Sequence, residues 1–202
     1  MSENPPHRPP RPQALVDAIE GEVPKSLKAT VWRVVTDGFD VLRPAKSGGR
    51  WDDGSFDVLY TSSERDGALA ESWFHASKGQ PIIPSRVSKR IYQIEAELGR
   101  VLDLTGAGKL QSMGVNEASY GRLSYLKRTD EYPTLQQIAE AAHFFEYEAI
   151  IVPNARWPTS NVVVFTEFTK RSQLTLLADE AVDLSQWFAT VGRWKSNTPG
   201  SA

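Results

Sequence analysis

The stretch from Gly48 to Glu71 contains a glycine pair, an arginine, a tyrosine and a carboxylate within a short length of chain. Gly48 and Gly49 allow the backbone to approach a ligand closely or to adopt a positive φ. The planar guanidinium of Arg50 offers donors that match the oxygens of a phosphate. The stretch has neither the Gly-Lys-Ser/Thr ending of a Walker A loop nor the spacing of the G-x-G-x-x-G fingerprint. A surface turn with Trp51 packed into the core is the alternative interpretation.

Tyr60 and Glu71 follow on the next two predicted elements. Tyr60 ends a short predicted strand, where its ring could stack on a flat heteroaromatic group or simply be buried. Glu71 lies on a predicted helix close to the apolar Leu69 and Trp73. Such a glutamate lies either on the solvated face of the helix or at the rim of a cleft.

Arg33 and the pair Ser160–Asn161 complete the set of candidate residues. Arg33 interrupts the apolar run "VWRVV", and burying its charge is costly unless it meets an anion, either a carboxylate of the protein or a ligand. Ser160 and Asn161 precede an apolar run, as turn residues or as hydrogen-bond partners at the mouth of a cleft. Together the candidates offer two arginines for a pyrophosphate, an aromatic ring for a flat group, a carboxylate and a serine. This set suits the binding and cleavage of a dinucleotide.

The elements that position these residues are a mixture of helices and strands. Helical spacing predicts helices over 12–21, 63–77, 134–145 and 183–194, and the third begins with a capping box of Thr134 and Gln137 after Pro133. Strand patterns occupy 29–35, 57–60, 89–97, 100–105, 149–153 and 161–168. The stretch 106–130 is predicted as loop with a short helix. Regular βαβ alternation is missing, which favours the α+β class. We predict a single domain over 13–195 between a flexible Pro-rich tail, 1–12, and a second tail, 196–202.

The composition restricts the chemistry open to the chain. Charged residues make up 24% and hydrophobic residues 40% of the 202 residues, and the net charge of −2 gives no overall positive field for nucleic acid. There are no cysteines and the three histidines are far apart, so we predict no metal site. No apolar run approaches the roughly 20 residues that span a bilayer. The N-terminal "MSENPPHRPPRP" has no hydrophobic signal core, which predicts a cytoplasmic protein without a membrane partner.

The order of these motifs resembles that of the RES domain family. The resemblance is carried by Arg33, "GGRW" ending at Trp51, "LYTS" around Tyr60, "ALAES" around Glu71 and "TSN" around Ser160. "RVLDLT" and "IAEAAHFFEYEAIIVP" also look like the family's pattern. Proteins of this family are toxins of bacterial type II toxin–antitoxin pairs, and their fold resembles the ADP-ribosyltransferase toxins of the diphtheria type. The resemblance therefore implies an α+β fold in which twisted mixed β-sheets form a central cleft with flanking helices.

The resemblance implies that NAD binds in this cleft as a co-substrate. Arg33 and Arg50 would contact its phosphates or ribose, and Tyr60 would stack on or flank the nicotinamide. Glu71 would hold the ribose hydroxyls and stabilise the positive charge that develops as the nicotinamide–ribose bond breaks. The expected catalytic residues are Glu71, Arg33 and Tyr60, and the expected NAD-binding residues are Arg33, Arg50, Tyr60, Ser160 and Asn161.

The function implied by the resemblance is a toxin that cleaves NAD and transfers ADP-ribose to an acceptor, which is a protein, phosphate or water. The enzyme would thus be an ADP-ribosyltransferase, an NAD glycohydrolase or an NAD phosphorylase. The implied partner is a cognate antitoxin that blocks the cleft, placing a chain terminus or an acidic group against Arg33 and Arg50. A protein acceptor is a second implied partner, and direct nucleic-acid binding is not expected.

Asp52 departs from the family's pattern, in which asparagine often follows the Gly-Arg-Trp motif. A negative charge beside a pyrophosphate is unfavourable, so we expect Asp52 to point away from the site or to pair with a basic residue.

Two other functions remain open for the candidate site residues. One is a non-catalytic module that binds a nucleotide or a protein in the cleft. The other is nucleic-acid cleavage, against which the acidic balance and the scattered histidines argue.

Overall fold

A computed structural model describes residues 11–46, 48–77, 88–121 and 128–196 of the chain. Its helices are α1 (Gln13–Glu20), α2 (Arg65–Ser77), α3 (Lys109–Ser112), α4 (Arg128–Phe144) and α5 (Leu184–Ser196). Its strands are β1 (Lys25–Thr36), β2 (Val58–Ser62), β3 (Lys89–Asp103), β4 (Ala149–Pro153), β5 (Ser160–Phe165) and β6 (Leu174–Val182). The predicted α+β class is confirmed. Over these ranges, no helix combines the length and the apolar character needed to cross a membrane.

The described strands form one sheet rather than the several sheets that the resemblance implied. Its order is β1-β2-β5-β4-β3-β6, and β1 also pairs with β3. This extra pairing closes β1, β2, β5, β4 and β3 into a ring, with β6 attached to the outer edge of β3. All neighbours are antiparallel except β3 and β4. The ring is weakest between β1 and β2, which pair only at Trp32 and Ser62.

Strand β3 is continuous, although the sequence predicted two strands over 89–97 and 100–105. One edge of β3 pairs with β1, while the other pairs with β6 as far as Ala96 and with β4 from Val101. At the change of partner, the backbone N–H groups of Gly99 and Arg100 donate to the carboxylate of Glu148. This side chain satisfies the two amides that no strand reaches, so β3 runs through the gap without interruption.

Apolar side chains pack on both faces of the sheet. A cluster drawn from all six strands fills the inside of the ring and includes Val31, Leu59, Ile94, Ala149, Val162 and Leu174. A second cluster packs α1 and α4 on the outside of β2, β5 and β4, and it includes Ile19, Leu135, Ile138, Ile150 and Val163. A third packs α2 and α5 against β1, β3 and β6 through Leu69, Ile91, Leu184 and the partly buried Trp32 and Trp187.

Helix α4 begins at Arg128, so the predicted start after Pro133 is wrong. Pro133 lies inside the helix, where it lacks the N–H that an interior position normally donates. The turn before it is anchored by two contacts with Arg50, since Glu131 forms an ion pair with the guanidinium and the ring of Tyr132 lies beside it. These tertiary contacts outweigh the local signal for a helix start at Thr134.

Strand β6 was not predicted from the sequence. Seven of its nine residues are exposed, with the burial confined to its two ends. An edge strand exposed on both faces has no alternation of apolar and polar residues, so its sequence carries no strand pattern. Its register shifts opposite Gln93 and Ile94 of β3.

The predicted N-terminal tail falls mostly outside the described residues, as do residues 197–202 of the predicted C-terminal tail. Arg11, near the end of the first tail, forms two hydrogen bonds with Glu140 of α4, at 2.6 and 2.5 Å. Its guanidinium also lies 4.1 Å from the centre of the Phe144 ring. Arg11 therefore contacts α4 although it lies in the predicted tail.

Candidate active site

A cavity of about 470 Å³ lies where α2 meets the narrow join between β1 and β2. Trp32 and Ser62, the single pair that joins these strands, both line it. The side chains relevant to its chemistry come from four strands, two helices and two loops and are Arg33, Arg50, Tyr60, Glu71, His75, Lys89, Tyr132, Arg156 and Asn161. Five of the six predicted site residues are therefore brought together, and Ser160 is the exception.

The loop that carries Arg50 is held by Asp52. The carboxylate of Asp52 is fully buried and accepts hydrogen bonds from the backbone N–H groups of Gly48 and Gly49, at 2.7 and 2.8 Å. It also accepts a hydrogen bond of 2.8 Å from the hydroxyl of Tyr60. Asp52 lies outside the cavity lining, as expected, but its partners are amides and a hydroxyl instead of the expected basic residue. Three donors satisfy its charge without a cation.

Position 49 requires glycine because its backbone lies directly against the side chains of Tyr60 and Asp52. A Cβ at this position would lie 2.6 Å from the hydroxyl oxygen of Tyr60 and 2.8 Å from Oδ2 of Asp52. Gly48 has a φ of +65°, in the left-handed region that favours glycine. From the other side, Nε2 of Gln136 donates to the carbonyls of Gly49 and Asp52 at 2.8 and 3.0 Å. The glycine pair therefore shapes a rigid loop.

Tyr60 lines the cavity, and its hydroxyl forms hydrogen bonds with groups of the protein. The oxygen accepts from the backbone N–H of Trp51 at 3.0 Å and donates to Asp52. Burial, together with the charge of Asp52, raises the pKa of Tyr60 well above its usual range. The phenol is therefore neutral at physiological pH, which leaves the ring surface to contact a ligand.

Arg50 is surrounded by anionic and aromatic groups. Its Nε lies 3.2 Å from Oε1 of Glu131, although the direction of the N–H does not make this ion pair a hydrogen bond. The rings of Tyr120 and Tyr132 lie 5.4 and 5.6 Å from its guanidinium carbon. Burial opposes the charge, but Tyr120, Glu131 and Glu71 outweigh it and raise the pKa of Arg50. Arg50 is a permanent cation whose charge is already partly balanced.

Arg33 is a buried cation with an unused donor. Its Nη2 donates to the backbone carbonyl of Arg43 at 3.2 Å, while the buried Nη1 has no hydrogen-bond partner within the described ranges. Burial lowers the pKa of Arg33 to about 10, partly offset by the charge of Asp40. The guanidinium still carries its proton at neutral pH, so it is available to an anion in the cavity.

Glu71 projects from α2 into the same cavity and is 21% exposed. Its Oε1 lies 3.5 Å from Nδ2 of Asn161, and its Oε2 lies 3.9 Å from Nε2 of His75. The helix comes close to the strands because of Gly67, where a Cβ would lie 2.6 Å from Cγ2 of Thr159 and closer still to Oγ of Ser62. This approach sets the depth at which Glu71 enters the cavity.

Asn154 connects two sides of the cavity. Its Nδ2 donates to Oδ1 of Asn161 at 2.7 Å, which turns the other end of that amide toward Glu71. Its Oδ1 accepts from the backbone N–H groups of Arg156 and Trp157 at 2.8 and 3.0 Å. One buried asparagine thereby fixes both the partner of the carboxylate and the loop that bears a third arginine.

The sequence analysis missed Asn154, Glu131 and two cavity cations, Arg156 and Lys89. Lys89 donates to the hydroxyl of Thr36 at 2.9 Å, and burial lowers its pKa. A polar or charged residue after a strand, early in a helix or at the start of a strand is common on surfaces, so Asn154, Glu131 and Lys89 gave no signal. Arg156 alone had one, since it lies in a short loop between two buried strands, close to Ser160.

Ser160 does not line the cavity. Its Oγ lies 2.7 Å from Oγ of Ser63, and its backbone carbonyl accepts from the N–H of Ser63 at 2.9 Å. The serine thus joins the start of β5 to the chain that leads into α2. A direct contact of Ser160 with a ligand stays a prediction.

The cavity combines several cations with a single carboxylate on its surface, as a site for an anionic ligand requires. Across the described ranges, no cluster of three or more His, Cys, Asp and Glu residues could hold a metal ion. A family model described as the RES domain matches residues 30–185. The chain belongs to the RES domain family.

This RES domain is also similar to solved structures. It superposes on a chain from the crystal structure of the M. tuberculosis MbcT–MbcA toxin–antitoxin complex with a TM-score of 0.72. The two chains are 19% identical, over 88% of the present chain and 97% of the other. At this identity the likeness shows the fold alone. A search of curated proteins found no match to the chain.

Proposed function

We propose that this RES domain is the toxin of a toxin–antitoxin pair and that it cleaves the nicotinamide–ribose bond of NAD. The ADP-ribose would pass to an acceptor, which is a protein, phosphate or water. Membership of the family and the similarity to a chain of a toxin–antitoxin complex support the toxin assignment. We further propose that the ring-shaped sheet is built like that of the ADP-ribosyltransferase toxins, with a single domain over 13–195 that acts on cytoplasmic NAD.

One observation carries the choice of ligand. In the described part of the chain, three buried side-chain atoms lack a hydrogen-bond partner, and they are Nη1 of Arg33, Nε of Arg50 and Nε of Arg156. All three arginines line the same cavity. Buried donors are normally satisfied, and leaving one unpaired costs about 1–3 kcal/mol, more for charged groups. Three arginines that line one cavity, each with a buried nitrogen that lacks a hydrogen bond, support a ligand with several anionic oxygens, such as a pyrophosphate.

The remaining residues suit the other half of a dinucleotide. The ring of Tyr60 would flank the nicotinamide, while the carboxylate of Glu71 would accept hydrogen bonds from the ribose hydroxyls. As the C–N bond breaks, its electron pair moves to the ring nitrogen, so the pyridinium leaves as neutral nicotinamide. Positive charge then develops on the ribose, where the fixed negative charge of Glu71 stabilises it.

The second half of the reaction completes the transfer. A nucleophilic atom of the acceptor bonds to the anomeric carbon, and any proton that it carries leaves to Glu71 or to water. Asn161 keeps one oxygen of Glu71 in place, with its Nδ2 at 3.5 Å. The acceptor sets the name of the enzyme: transferase for a protein, phosphorylase for phosphate and glycohydrolase for water.

The proposed antitoxin would block this cavity. Its chain terminus or an acidic side chain would meet the cations of Arg33 and Arg50 and so exclude the substrate. Reversing both charges, with Arg33→Glu and Arg50→Glu in one variant, is then expected to weaken the complex in a pull-down. A complex that survives both changes would contradict this mode of inhibition.

The experiment that tests the proposed function follows nicotinamide release. Purified protein is incubated with NAD alone, with added phosphate, and with a cell extract as a source of acceptor proteins. We expect free nicotinamide in at least one of these reactions. NAD that binds without forming product would instead support the non-catalytic module, and degraded RNA beside intact NAD would support a nuclease.

A further inference from the structure

Arg156 lies in the short loop between β4 and β5 and was not among the predicted site residues. Its guanidinium is held from two sides within the cavity lining. The carbon of the guanidinium lies 3.4 Å from the centre of the Phe74 ring on α2, and Nη1 donates to the carbonyl of Gly121 at 2.6 Å. The side chain is therefore fixed in direction before any ligand binds.

The backbone of Arg156 is fixed as well. Its N–H and that of Trp157 donate to the same oxygen of the buried Asn154. Asn154 also reaches Glu71 through Asn161. The loop is thus held in a defined position relative to the carboxylate of the site, as a preorganised binding residue requires.

The position of Arg156 is electrostatically unfavourable without a ligand. Its Nε is buried and has no hydrogen-bond partner among the described residues. Burial lowers the pKa of Arg156, and the positive charge of Arg50 lowers it further, although Glu71 acts in the opposite direction. Two neighbouring buried cations repel each other, and a bound anion would remove that cost.

The three arginines differ in how far their charges are already balanced. Arg50 forms an ion pair with Glu131, whose side chain is only 7% exposed. Over the ranges that the structure describes, neither Arg33 nor Arg156 has a carboxylate oxygen within 4 Å. Two arginines without an ion pair match the two negative charges of a pyrophosphate.

We infer that Arg156 is an anion-binding residue of the cavity and that it shares the pyrophosphate of the dinucleotide with Arg33. Arg50 then serves mainly to hold the loop and α4 together through Glu131. This inference rests on the proposed function for the identity of the ligand. Arg156, which would bind the phosphates with Arg33, lies outside the motifs "GGRW" and "TSN".

Calorimetric titration of ADP tests the assignment, because ADP carries the pyrophosphate but has no nicotinamide to release. Adenosine is the neutral comparison ligand. The variant is Arg156→Gln, and the matched control is Arg100→Gln. Arg100 also lies over an aromatic ring, that of Tyr147 at 4.7 Å, and donates to a backbone carbonyl, but it does not line the cavity.

We expect Arg156→Gln to weaken ADP binding by about 10- to 100-fold, the effect of losing one charged hydrogen bond. Adenosine affinity should change little, and Arg100→Gln should leave both affinities unchanged. Equal ADP affinity in Arg156→Gln and the unmodified protein would overturn the inference. So would an unmodified protein that binds ADP no more tightly than adenosine.

A second variant guards against loss of the fold. Arg156→Lys keeps the positive charge, but one ammonium cannot serve both the carbonyl of Gly121 and a phosphate as the guanidinium does. We expect it to weaken ADP binding several-fold, and an unchanged affinity would contradict the assignment. The titration measures binding alone, so a protein that binds ADP through Arg156 but releases no nicotinamide would refute the proposed reaction and retain the anion site.

Discussion

At the scale of single residues, the site depends on side chains that never touch the cavity. Asp52 accepts two amide hydrogen bonds and one hydroxyl hydrogen bond, and in doing so it sets the positions of Arg50 and Tyr60 together. A carboxylate with three donors is stable in a buried position without a cation. A negative charge is unfavourable beside a pyrophosphate, and the carboxylate of Asp52 lies outside the cavity lining. It holds the loop through its hydrogen bonds with Gly48 and Gly49.

Asn154 has a similar role, and its removal should separate catalysis from binding. Asn154→Ala leaves Oδ1 of Asn161 and two loop N–H groups without partners, which costs about 1–3 kcal/mol of stability. Asn154→Asp can still accept from the loop but cannot donate to Asn161. We expect Asn154→Asp to keep more of the stability than Asn154→Ala and to lose kcat for nicotinamide release while ADP affinity holds.

Thermal unfolding and nicotinamide release, measured on both variants, check this prediction. Asn154→Asp that releases nicotinamide at the rate of the unmodified protein would remove the asparagine from the positioning of Glu71. Equal loss of stability in the two variants would show that the hydrogen bonds from the loop N–H groups to Oδ1 of Asn154 contribute nothing to the free energy of unfolding.

The sequence revealed the residues that line the cavity better than the residues that hold them. Arg33, Arg50, Tyr60, Glu71 and Asn161 were all predicted, because an arginine in an apolar strand or a glycine pair beside an arginine is locally unusual and because the order of the motifs resembles that of the RES domain family. Asn154 and Glu131 were not, because a polar residue after a strand or early in a helix is ordinary. Their importance arises only from partners far away in the chain, such as Arg50 for Glu131.

At the scale of elements, the approach of α2 to the strands determines where Glu71 lies. Gly67, at the start of the helix, packs against Ser62 and Thr159. Ser62 is the last residue of β2, and Thr159 directly precedes β5. Helix and strands can come this close only because position 67 has no Cβ.

Gly67→Ala should therefore displace the helix. The added Cβ would lie 2.6 Å from Cγ2 of Thr159, well inside normal contact distance. We expect a loss of about 1–3 kcal/mol of stability and a larger fractional loss of nicotinamide release than of ADP affinity. The control is Gly106→Ala, where the nearest atoms belong to the flexible side chain of Lys109 at 3.4 Å.

Urea unfolding and steady-state kinetics on the two alanine variants provide the measurements. Full activity and stability in Gly67→Ala would mean that the helix can shift without moving Glu71. That outcome would contradict the role given to the close approach.

Local patterns predicted most elements, and the exceptions have physical causes. The strand 149–153 was predicted at its observed bounds because buried apolar residues fill it. β3 was divided at Gly99, since the sequence does not show that Glu148 satisfies the amides there. The edge strand β6 has no buried face, and the start of α4 is fixed by contacts with Arg50.

At the scale of the whole molecule, the sheet closes on itself and leaves its site at the weakest join. β1 pairs with β3 over nearly its whole length but with β2 at a single pair, Trp32 and Ser62. The cavity lies at that pair. Such a closure joins strands that are distant in sequence, so local sequence patterns carry no signal for it.

An ion pair at the far end of the β1–β3 pairing contributes to this closure. Nζ of Lys25 lies 2.9 Å from Oδ2 of Asp103, while Oδ1 accepts from the N–H and hydroxyl of Thr105 at 3.0 and 2.6 Å. Partial burial opposes ionisation, but Lys25 and Thr105 together hold the pKa of Asp103 at about 2. The ionised carboxylate therefore stabilises the folded protein.

This contribution has a defined pH dependence. Because the folded pKa lies below the usual value, the stabilisation is complete above about pH 4 and is lost as the pH falls through 2. Asp103→Asn should lower the free energy of unfolding by about 1 kcal/mol at pH 7, after allowance for solvent screening. The difference from the unmodified protein should shrink as the pH falls from 4 toward 2.

Urea unfolding at several pH values tests this prediction. Glu97→Gln is the control, since Glu97 pairs with Lys28 on the same two strands but is 66% exposed, and it should change stability by less than about 0.5 kcal/mol. A destabilisation by Asp103→Asn that is independent of pH would contradict the assignment to the ionised carboxylate.

Replacement of Glu71 by glutamine tests the proposed catalysis most directly, because the amide keeps the shape of the side chain and removes its charge. Nicotinamide release and ADP affinity are measured for Glu71→Gln and for Glu64→Gln, an exposed glutamate just before the same helix. We predict that Glu71→Gln reduces nicotinamide release by at least about 100-fold and changes ADP affinity little, while Glu64→Gln behaves like the unmodified protein. Release at an unchanged rate in Glu71→Gln would contradict the account.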